Sequence, residues 1–485
     1  MSKLISAVGL TLDTAYQAIS DQEWRQLVDM AIDRGALKKR DDLLAGKAIN
    51  ETENRAALHP ALRNLSNRPM MIDGVDVMPL VKHVWQRMEA FCNQLAGITD
   101  VICLGIGGSD WGPRLVCDAL YHLNPKEHHA IRLHFVANID SAELAAALSK
   151  AQPHSTRVLI TSKTFTTLET LRNAQTVINW LKQHNATPSQ IKKSLIGITA
   201  NTEAAEAFGI TPENIYPFWD WVGGRFSVWS AVGFPIAIKF GFNTYMEFLA
   251  GAHAMDEHFI EAPATENMPL TLALTLIHNQ QKHGITAKAL IPYAHALRLL
   301  PEWLQQLEME SHGKSVTLSG NLCDPTSPVV FGSAGSNSQH SYFQMLHQGS
   351  QIIPVDFIAI QKPMSQLPEA KEHHEALIAN CLAQAQALAN GSQEENAYNS
   401  CPGKRPSNLL WIKQLDAYHL GALLALYEHR ALCLGAIWNL NSFDQPGVEL
   451  GKKLAKPIQQ ALRGENDELN GIDAITAARI KWLNA

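Results

Sequence analysis

Val101-Ile102-Cys103-Leu104-Gly105-Ile106-Gly107-Gly108-Ser109-Asp110-Trp111-Gly112 runs an apolar stretch into a cluster of glycines. Apolar residues without polar alternation predict a strand covered on both faces, as in parallel sheets flanked by helices. The glycines predict a tight turn that opens a helix. A dinucleotide fingerprint, G-x-G-x-x-G, needs a third glycine where Asp110 stands, so that reading fails. Two readings remain. The segment is a tight strand-to-helix corner, or a turn that lets an anion approach backbone N–H groups with Ser109 as an added donor.

The same texture recurs. Leu133–Ala137, Arg157–Thr161 and Leu195–Thr199 are short apolar runs separated by helical pattern, so residues 96–235 read as one doubly wound α/β domain. Ala289–Tyr293, Val329–Gly332 and Ile352–Phe357 form a second set, and residues 236–445 read as a second such domain. Two sheets of like design suggest duplication, although no clear sequence repeat accompanies them. Residues 1–95 read mostly as helix, with Trp24, Leu27, Val28, Ala31 and Ile32 on one stripe and Val81, Val84, Trp85, Met88 and Phe91 on another. Lys38 to Asp42 reads as a solvated charged corner, and Glu394 to Ser407 as a loop. Residues 446–485 return to amphipathic helix and carry Lys452. The fold class is therefore α/β: two doubly wound, mainly parallel sheets with helical segments at both ends.

With 485 residues, 46% of them hydrophobic and 18% charged, the chain is that of a globular protein with ample core. A net charge of −6 without any Lys/Arg block argues against nucleic acid or an anionic membrane as the main partner. An anionic small molecule needs only a local positive pocket. Seven scattered cysteines without a C-x-x-C pair argue against a disulfide framework or a zinc ribbon. His373-His374 beside Glu372 and Glu375 reads as a solvated helix face, because no second ligand pair stands at metal spacing. Leu4 to Leu12, with a single Lys before it, is too weak for a secretory signal. Leu420 to Leu440 is interrupted by Glu428, His429 and Arg430 and reads as a buried helix. A cytoplasmic location is the default expectation.

Several segments could carry chemistry. Ser162-Lys163-Thr164-Phe165-Thr166-Thr167 follows the third strand, offering four hydroxyls and an ammonium at the positive end of a helix. Thr166 and Glu169 can form a capping box. Capping needs one or two of these groups rather than five, so phosphate binding is the better reading. Gly223-Gly224 delivers Arg225, either as an oxyanion-facing guanidinium or as a surface-loop residue. Glu310 ends the half-buried helical pattern of Trp303, Leu304, Leu307 and Met309, as a carboxylate aimed at a cleft or merely solvated. His340 is delivered from a small-residue loop to a helix start, and Lys452 follows two glycines. Each is ambiguous alone.

Together these segments resemble the glucose-6-phosphate isomerase family. Six motifs appear in the family's order between about Val101 and Ile458: the GIGGS turn, SKTFTT-x-ET from Ser162, VGGR-F-S from Val222, E-S-H-G-K from Glu310, N-S-Q-H from Asn337, and FDQ-P-GVELGK from Phe443. The resemblance implies two sugar-isomerase-type domains, a cofactor-free and metal-free reaction, and a homodimer. It implies a phosphate site at Gly108, Ser109, Ser162, Lys163, Thr164 and Thr167. Arg225 would face an enediolate, and Glu310 would shuttle a proton between C2 and C1 with Gln306 lining the site. His340 and Lys452 would open the sugar ring, with Gln445 nearby, and His340 would come from the neighbouring subunit. The substrates would be glucose 6-phosphate and fructose 6-phosphate, in glycolysis and gluconeogenesis.

The chain departs from the family pattern at His312 (usually Asn), Phe226 (usually Tyr), Ser333-Ala334 and Pro446. None removes a proposed catalytic group, and His312 adds a titratable group that could move the pH profile. The residue types fit the chemistry. Ring opening needs an acid and a base, the proton at C2 needs a carboxylate, and the enediolate needs a fixed cation sheltered from water. A sugar-phosphate-binding regulator would need no Glu310, His340 and Lys452 together. A bifunctional glucose/mannose-6-phosphate isomerase remains an alternative. An amidotransferase's isomerase half would need cysteine where Ser2 stands.

Overall fold

The computed structural model describes residues 4–123, 129–465 and 469–484. Ser2, and the single Lys3 before the N-terminal apolar run, lie outside them. The chain divides into two compact units, Met1–Ser442 and Phe443–Ala485.

The N-terminal segment holds strands that the sequence did not suggest. β1 (Leu4–Ala7) and β2 (Leu10–Asp13) form an antiparallel hairpin. Val8 and Gly9 both take positive φ at its turn, 55° and 73°, the pair of left-handed residues that a two-residue hairpin loop demands. Helix α1 (Asp21–Asp33) starts with a complete capping box between Ser20 and Glu23. It buries Trp24, Leu27, Val28 and Ala31, while Ile32, expected on that face, is 47% exposed. Helix α2 (Ala36–Leu44) replaces the expected charged corner. Its Arg40 donates from Nη1 to the carbonyls of Phe259 and Ile260 at 2.9 and 3.1 Å and so docks on the protein, while Lys38 and Asp41 stay exposed as expected of a solvated corner. Helix α3 (Met78–Cys92) buries Val81, Val84, Trp85 and Met88 as its stripe predicts, with Phe91 half-buried.

The first sheet is wholly parallel. It comprises β3 (Asp100–Leu104), β4 (Arg132–Val136), β5 (Thr156–Thr161), β6 (Leu195–Thr199) and β7 (Ile215–Pro217), in spatial order β4-β3-β5-β6-β7. All but the short β7 follow from the apolar runs. Ile102, Leu104, Val158 and Ile160 share a buried cluster with Val177 and Leu181 of the helix after β5. After β3 the chain places β4 on one side, then returns to place β5 on the other. The ends of β3 and β5, with Leu104 opposite Ile160, thus form a topological switch point, where open α/β sheets bind ligands beyond the strand C-termini. The glycine turn leads from β3 into α4 (Gly108–Tyr121), and the hydroxyl-rich loop leads from β5 into α5 (Leu168–Gln183).

Two long helices, α6 (Phe242–Glu261) and α7 (Met268–His283), lead to the second sheet. Its strands are β8 (Ala287–Tyr293), β9 (Val329–Phe331), β10 (Val355–Ile360) and β11 (Ser407–Ile412), in spatial order β1-β2-β11-β10-β8-β9. β8 to β11 are parallel, and the N-terminal hairpin adds an antiparallel edge, with Leu12 opposite Leu410. The run expected from Ile352 starts as a strand only at Val355. Helix α8 (Leu300–Gln305) follows β8 and continues as a π turn over Gln306–Glu310. Helix α9 (Ala417–Trp438) is apolar enough for a membrane by composition, yet it is buried inside the protein as read from its sequence. It meets α6 backbone to backbone: a Cβ on Gly251 would stand 1.7 Å from the Tyr418 carbonyl oxygen, so no larger residue fits there.

The second unit, described by itself, holds α10 (Glu449–Leu462) and α11 (Ala474–Leu483), as the tail's pattern predicts.

Candidate active site

The glycine turn interlocks with the loop that carries Arg225. Gly107 takes a φ of 61° with ψ −124°, a combination natural to glycine. A Cβ on Gly108 would lie 2.0 Å from the Gly224 carbonyl oxygen and 2.6 Å from the Arg225 nitrogen. A Cβ on Gly107 would lie 3.1 Å from Nε2 of Gln306. Close backbone approach, rather than a free anion cradle alone, therefore explains why these residues are glycine. The turn brings Ser109, Arg225 and Gln306 into one corner.

Arg225 is buried and fixed from behind. Its Nε donates to Ser311 Oγ at 2.8 Å and its Nη2 to the Ser442 carbonyl at 2.6 Å. Its Nη1 stands 3.6 Å from Oε2 of Glu310. Gln306 donates from Nε2 to the same carboxylate oxygen at 2.9 Å, one turn back along the chain. The Glu310 side chain is 24% exposed, so it is held yet reachable. Glu308 is a different case. It is 1% exposed and locked to Lys288 and Arg430, which excludes it as the accessible carboxylate of this segment. The π turn beneath these residues is a rare form often found at functional sites.

His312, whose titration could have mattered, is fully buried and takes no part in charge changes near neutrality. Burial lowers its pKa to about 3, although a bond to the Ala431 carbonyl at 2.8 Å works against that shift. A neutral imidazole with its Nε2–H donated to that carbonyl fits the geometry.

The loop after β5 differs from expectation in two respects. No Thr166–Glu169 capping box forms: Thr167 is the N-cap of α5 and makes no side-chain cap bond. Instead Ser162 and Thr167 share a hydroxyl–hydroxyl bond of 2.9 Å, and Thr164 and Thr166 another of 2.7 Å. The hydroxyls hold one another, because the left-handed backbone at buried Phe165 (φ 55°) turns the loop sharply. The Lys163 ammonium donates to the carbonyls of Asp220 and Val222 at 2.8 and 2.9 Å, bracing the approach to Arg225. Burial, then the nearby Arg55 charge, lower its pKa to about 8.

His340 caps the end of a five-residue helix, Gly335–Gln339, rather than opening the next one. It is exposed, and among the described residues no hydrogen bond or ion pair engages its ring. Lys452 lies on α10 in the second unit and pairs with Glu449 at 2.8 Å; Gln445 precedes the short turn Pro446–Val448 there. The first unit thus gathers Ser109, Arg225, Gln306 and Glu310, and seats Ser162, Lys163, Thr164 and Thr167 at the neighbouring strand end. Sequence reasoning missed Ser311 and Ser442, which hold Arg225. Ser311 lay inside the quoted Glu310 segment, and Ser442 immediately precedes the quoted Phe443 segment, but their role depends on folding.

A model of the phosphoglucose isomerase family matches residues 13–480. The glucose-6-phosphate isomerase of Cupriavidus metallidurans is 45% identical over 98% of this chain and 91% of its own length. Glucose-6-phosphate isomerase 1 of Neisseria meningitidis is 42% identical over 94% and 88%. Among solved structures, a glucose-6-phosphate isomerase from Chlamydia trachomatis superposes with a TM-score of 0.88 at 29% identity, over 99% of this chain and 92% of that one.

Proposed function

The chain belongs to the phosphoglucose isomerase family, and from that premise we propose that it interconverts glucose 6-phosphate and fructose 6-phosphate through an enediolate. The observation that carries this reading is the arrangement of Glu310 between Gln306 and Arg225. A reachable carboxylate stands beside a cation that cannot swing away. In the open-chain sugar phosphate, Glu310 takes the proton from C2 and returns it to C1. The charge on the enediolate oxygens is met by Arg225, whose position is set before substrate arrives. Gln306 orients the carboxylate.

The phosphate would bind beyond the switch point, against Gly108, Ser109, Ser162, Thr164 and Thr167, with Lys163 bracing the loop. Binding energy far from the reacting carbons then orients C1 and C2. His340 and Lys452 would serve ring opening as acid and base, and Gln445 would take a substrate-binding role. The exposed, unengaged ring of His340 is consistent with a homodimer in which each chain lends this residue to the other. Seven unpaired cysteines agree with a cytoplasmic setting for glycolysis and gluconeogenesis.

Incubation with fructose 6-phosphate, followed by separation of the sugar phosphates, tests the reading. Glucose 6-phosphate alone is expected. Equal accumulation of mannose 6-phosphate would favour the bifunctional alternative, and no turnover with retained binding would favour a regulator.

A further inference from the structure

Glu308 sits two residues before the proposed base and belongs to a buried cluster that the reaction does not use. Lys288 of β8 places its Nζ 2.9 Å from Oε2 and 3.1 Å from Oε1 of Glu308. Arg430 of α9 donates from Nη1 to Oε1 at 2.7 Å. Asp356 of β10 completes the set, 3.7 Å from Lys288 and 3.5 Å from Arg430, and accepts a bond from Asn408 Nδ2 at 2.7 Å. All four side chains are at most 9% exposed. Two cations and two anions leave the cluster neutral.

Such a quartet is a poor way to gain stability. Desolvating the charges offsets most of their attraction, and apolar replacements of similar volume are often neutral or stabilising. What the quartet does supply is a fixed position. Its members come from two neighbouring strands, a central helix and the π turn. The π turn carries an extra residue per turn, a shape that an isolated helix does not prefer. Its other inward residues are held less firmly: Leu307 is wholly buried in apolar surroundings, and Met309 Sδ accepts one weak bond from the Val330 N–H at 3.5 Å. Among these inward residues, Glu308 is the one gripped by charged side chains, Lys288 and Arg430. Gln306 and Glu310 bracket it, are partly exposed, and bond to each other.

We propose that Glu308 is a positioning residue for the isomerisation, held chiefly by Arg430, with Lys288 as a secondary support. By gripping Glu308 these two cations fix the π turn, and so set where the Glu310 carboxylate stands relative to Arg225. The inference rests on Glu310 being the base. It goes further by assigning a function to groups that never touch substrate.

Two charge-balanced double variants separate positioning from stability. Glu308→Met with Lys288→Met releases the turn and leaves the Arg430–Asp356 pair. Lys288→Met with Asp356→Asn keeps the Glu308–Arg430 bond. A misplacement of about 1 Å can cost on the order of 10²-fold in rate. The first double is therefore expected to lose between about 10- and 100-fold in kcat with KM little changed, and the second less than about threefold, whatever their Tm values. Equal losses in both doubles, or kcat in the first within about threefold of wild type, would overturn the proposal. Should the first double not fold, Glu308→Asp keeps the charge and shortens the tether by one methylene. It is expected to lower kcat at least about tenfold at unchanged KM, and an unchanged kcat would equally overturn the proposal. Glu310→Gln run alongside keeps the two ideas distinct. If that variant still exchanges the C2 hydrogen, the base assignment fails. If it is dead while the quartet variants turn over normally, only the positioning role fails.

Discussion

Nη1 of Arg225 lies 3.6 Å from Oε2 of Glu310, while the other guanidinium nitrogens engage Ser311 Oγ and the Ser442 carbonyl. The residue after the proposed base therefore helps hold the cation beside it. A lysine cannot reproduce that grip, because an ammonium lacks the planar fork. Arg225→Lys is expected to lower kcat by about 10²–10³-fold, the scale for losing an oxyanion donor, with a much smaller change in KM. Steady-state kinetics with fructose 6-phosphate checks this. A loss confined to KM would mean that Arg225 binds the ground state instead.

Ser162 is buried and paired with Thr167, whereas Thr164 is exposed and paired with Thr166. Replacing Ser162 and Thr164 together by Ala removes a donor from each pair. KM for the phosphorylated sugar should rise by about tenfold or more, with kcat falling less, because each lost hydrogen bond to a charged group costs about 1.5–3 kcal/mol. Inhibition by a phosphorylated sugar acid should weaken in parallel. Unchanged inhibition would reduce the loop to a structural turn.

Much of this was legible in the sequence, for identifiable reasons. The core strands of the first sheet are unbroken apolar runs, and a strand buried on both faces leaves that mark. β11 was hidden because it opens with Ser407 and Asn408, both buried. Asn408 is satisfied internally by Gln17 and Asp356, which hydropathy does not register. The N-terminal hairpin was hidden because Val8, a β-branched residue, occupies a left-handed turn position that usually advertises itself with Asn or Asp. The Gln306–Glu310 contact follows from helical spacing. The π turn beneath it does not, since its anchors, Lys288 and Arg430, are far away in sequence. The glycines of the Gly107–Gly108 turn were read correctly as a turn. Their contact with Gly224 and Gln306 emerged only from the fold.

His312 offers a test by pH. Its folded pKa of about 3 lies below the ordinary histidine value of 6.5, with burial as the main cause. A depressed folded pKa means that its contribution to stability is present above pH 6.5 and is lost as pH falls from there toward 3. His312→Asn should leave the pH profile of kcat/KM superimposable on wild type. Its unfolding free energy should decline less steeply in that window, by up to about 1.4 kcal/mol per pH unit. Denaturant titrations across that range check the slope. A shifted activity profile would show that His312 titrates in the working range.

The shared-site proposal has its own signature. Mixing the inactive variants His340→Ala and Glu310→Gln, then unfolding and refolding them together, should produce mixed dimers with one complete site in each. Random pairing makes half the dimers mixed, so roughly a quarter of wild-type activity should return. A refolded mixture that forms dimers yet stays inactive would contradict an exchanged histidine.

Proton transfer by Glu310 is the claim on which the rest depends. Glu310→Gln keeps the bond distance to Gln306 within reach but removes the base, and a general base contributes roughly 10²–10⁴-fold. The direct measurement is exchange of the C2 hydrogen of glucose 6-phosphate with deuterated solvent, followed by NMR on the variant with sugar-phosphate binding measured in parallel. Binding close to wild type and exchange slowed by at least about 10²-fold are expected. Exchange at the wild-type rate would place the base on another residue.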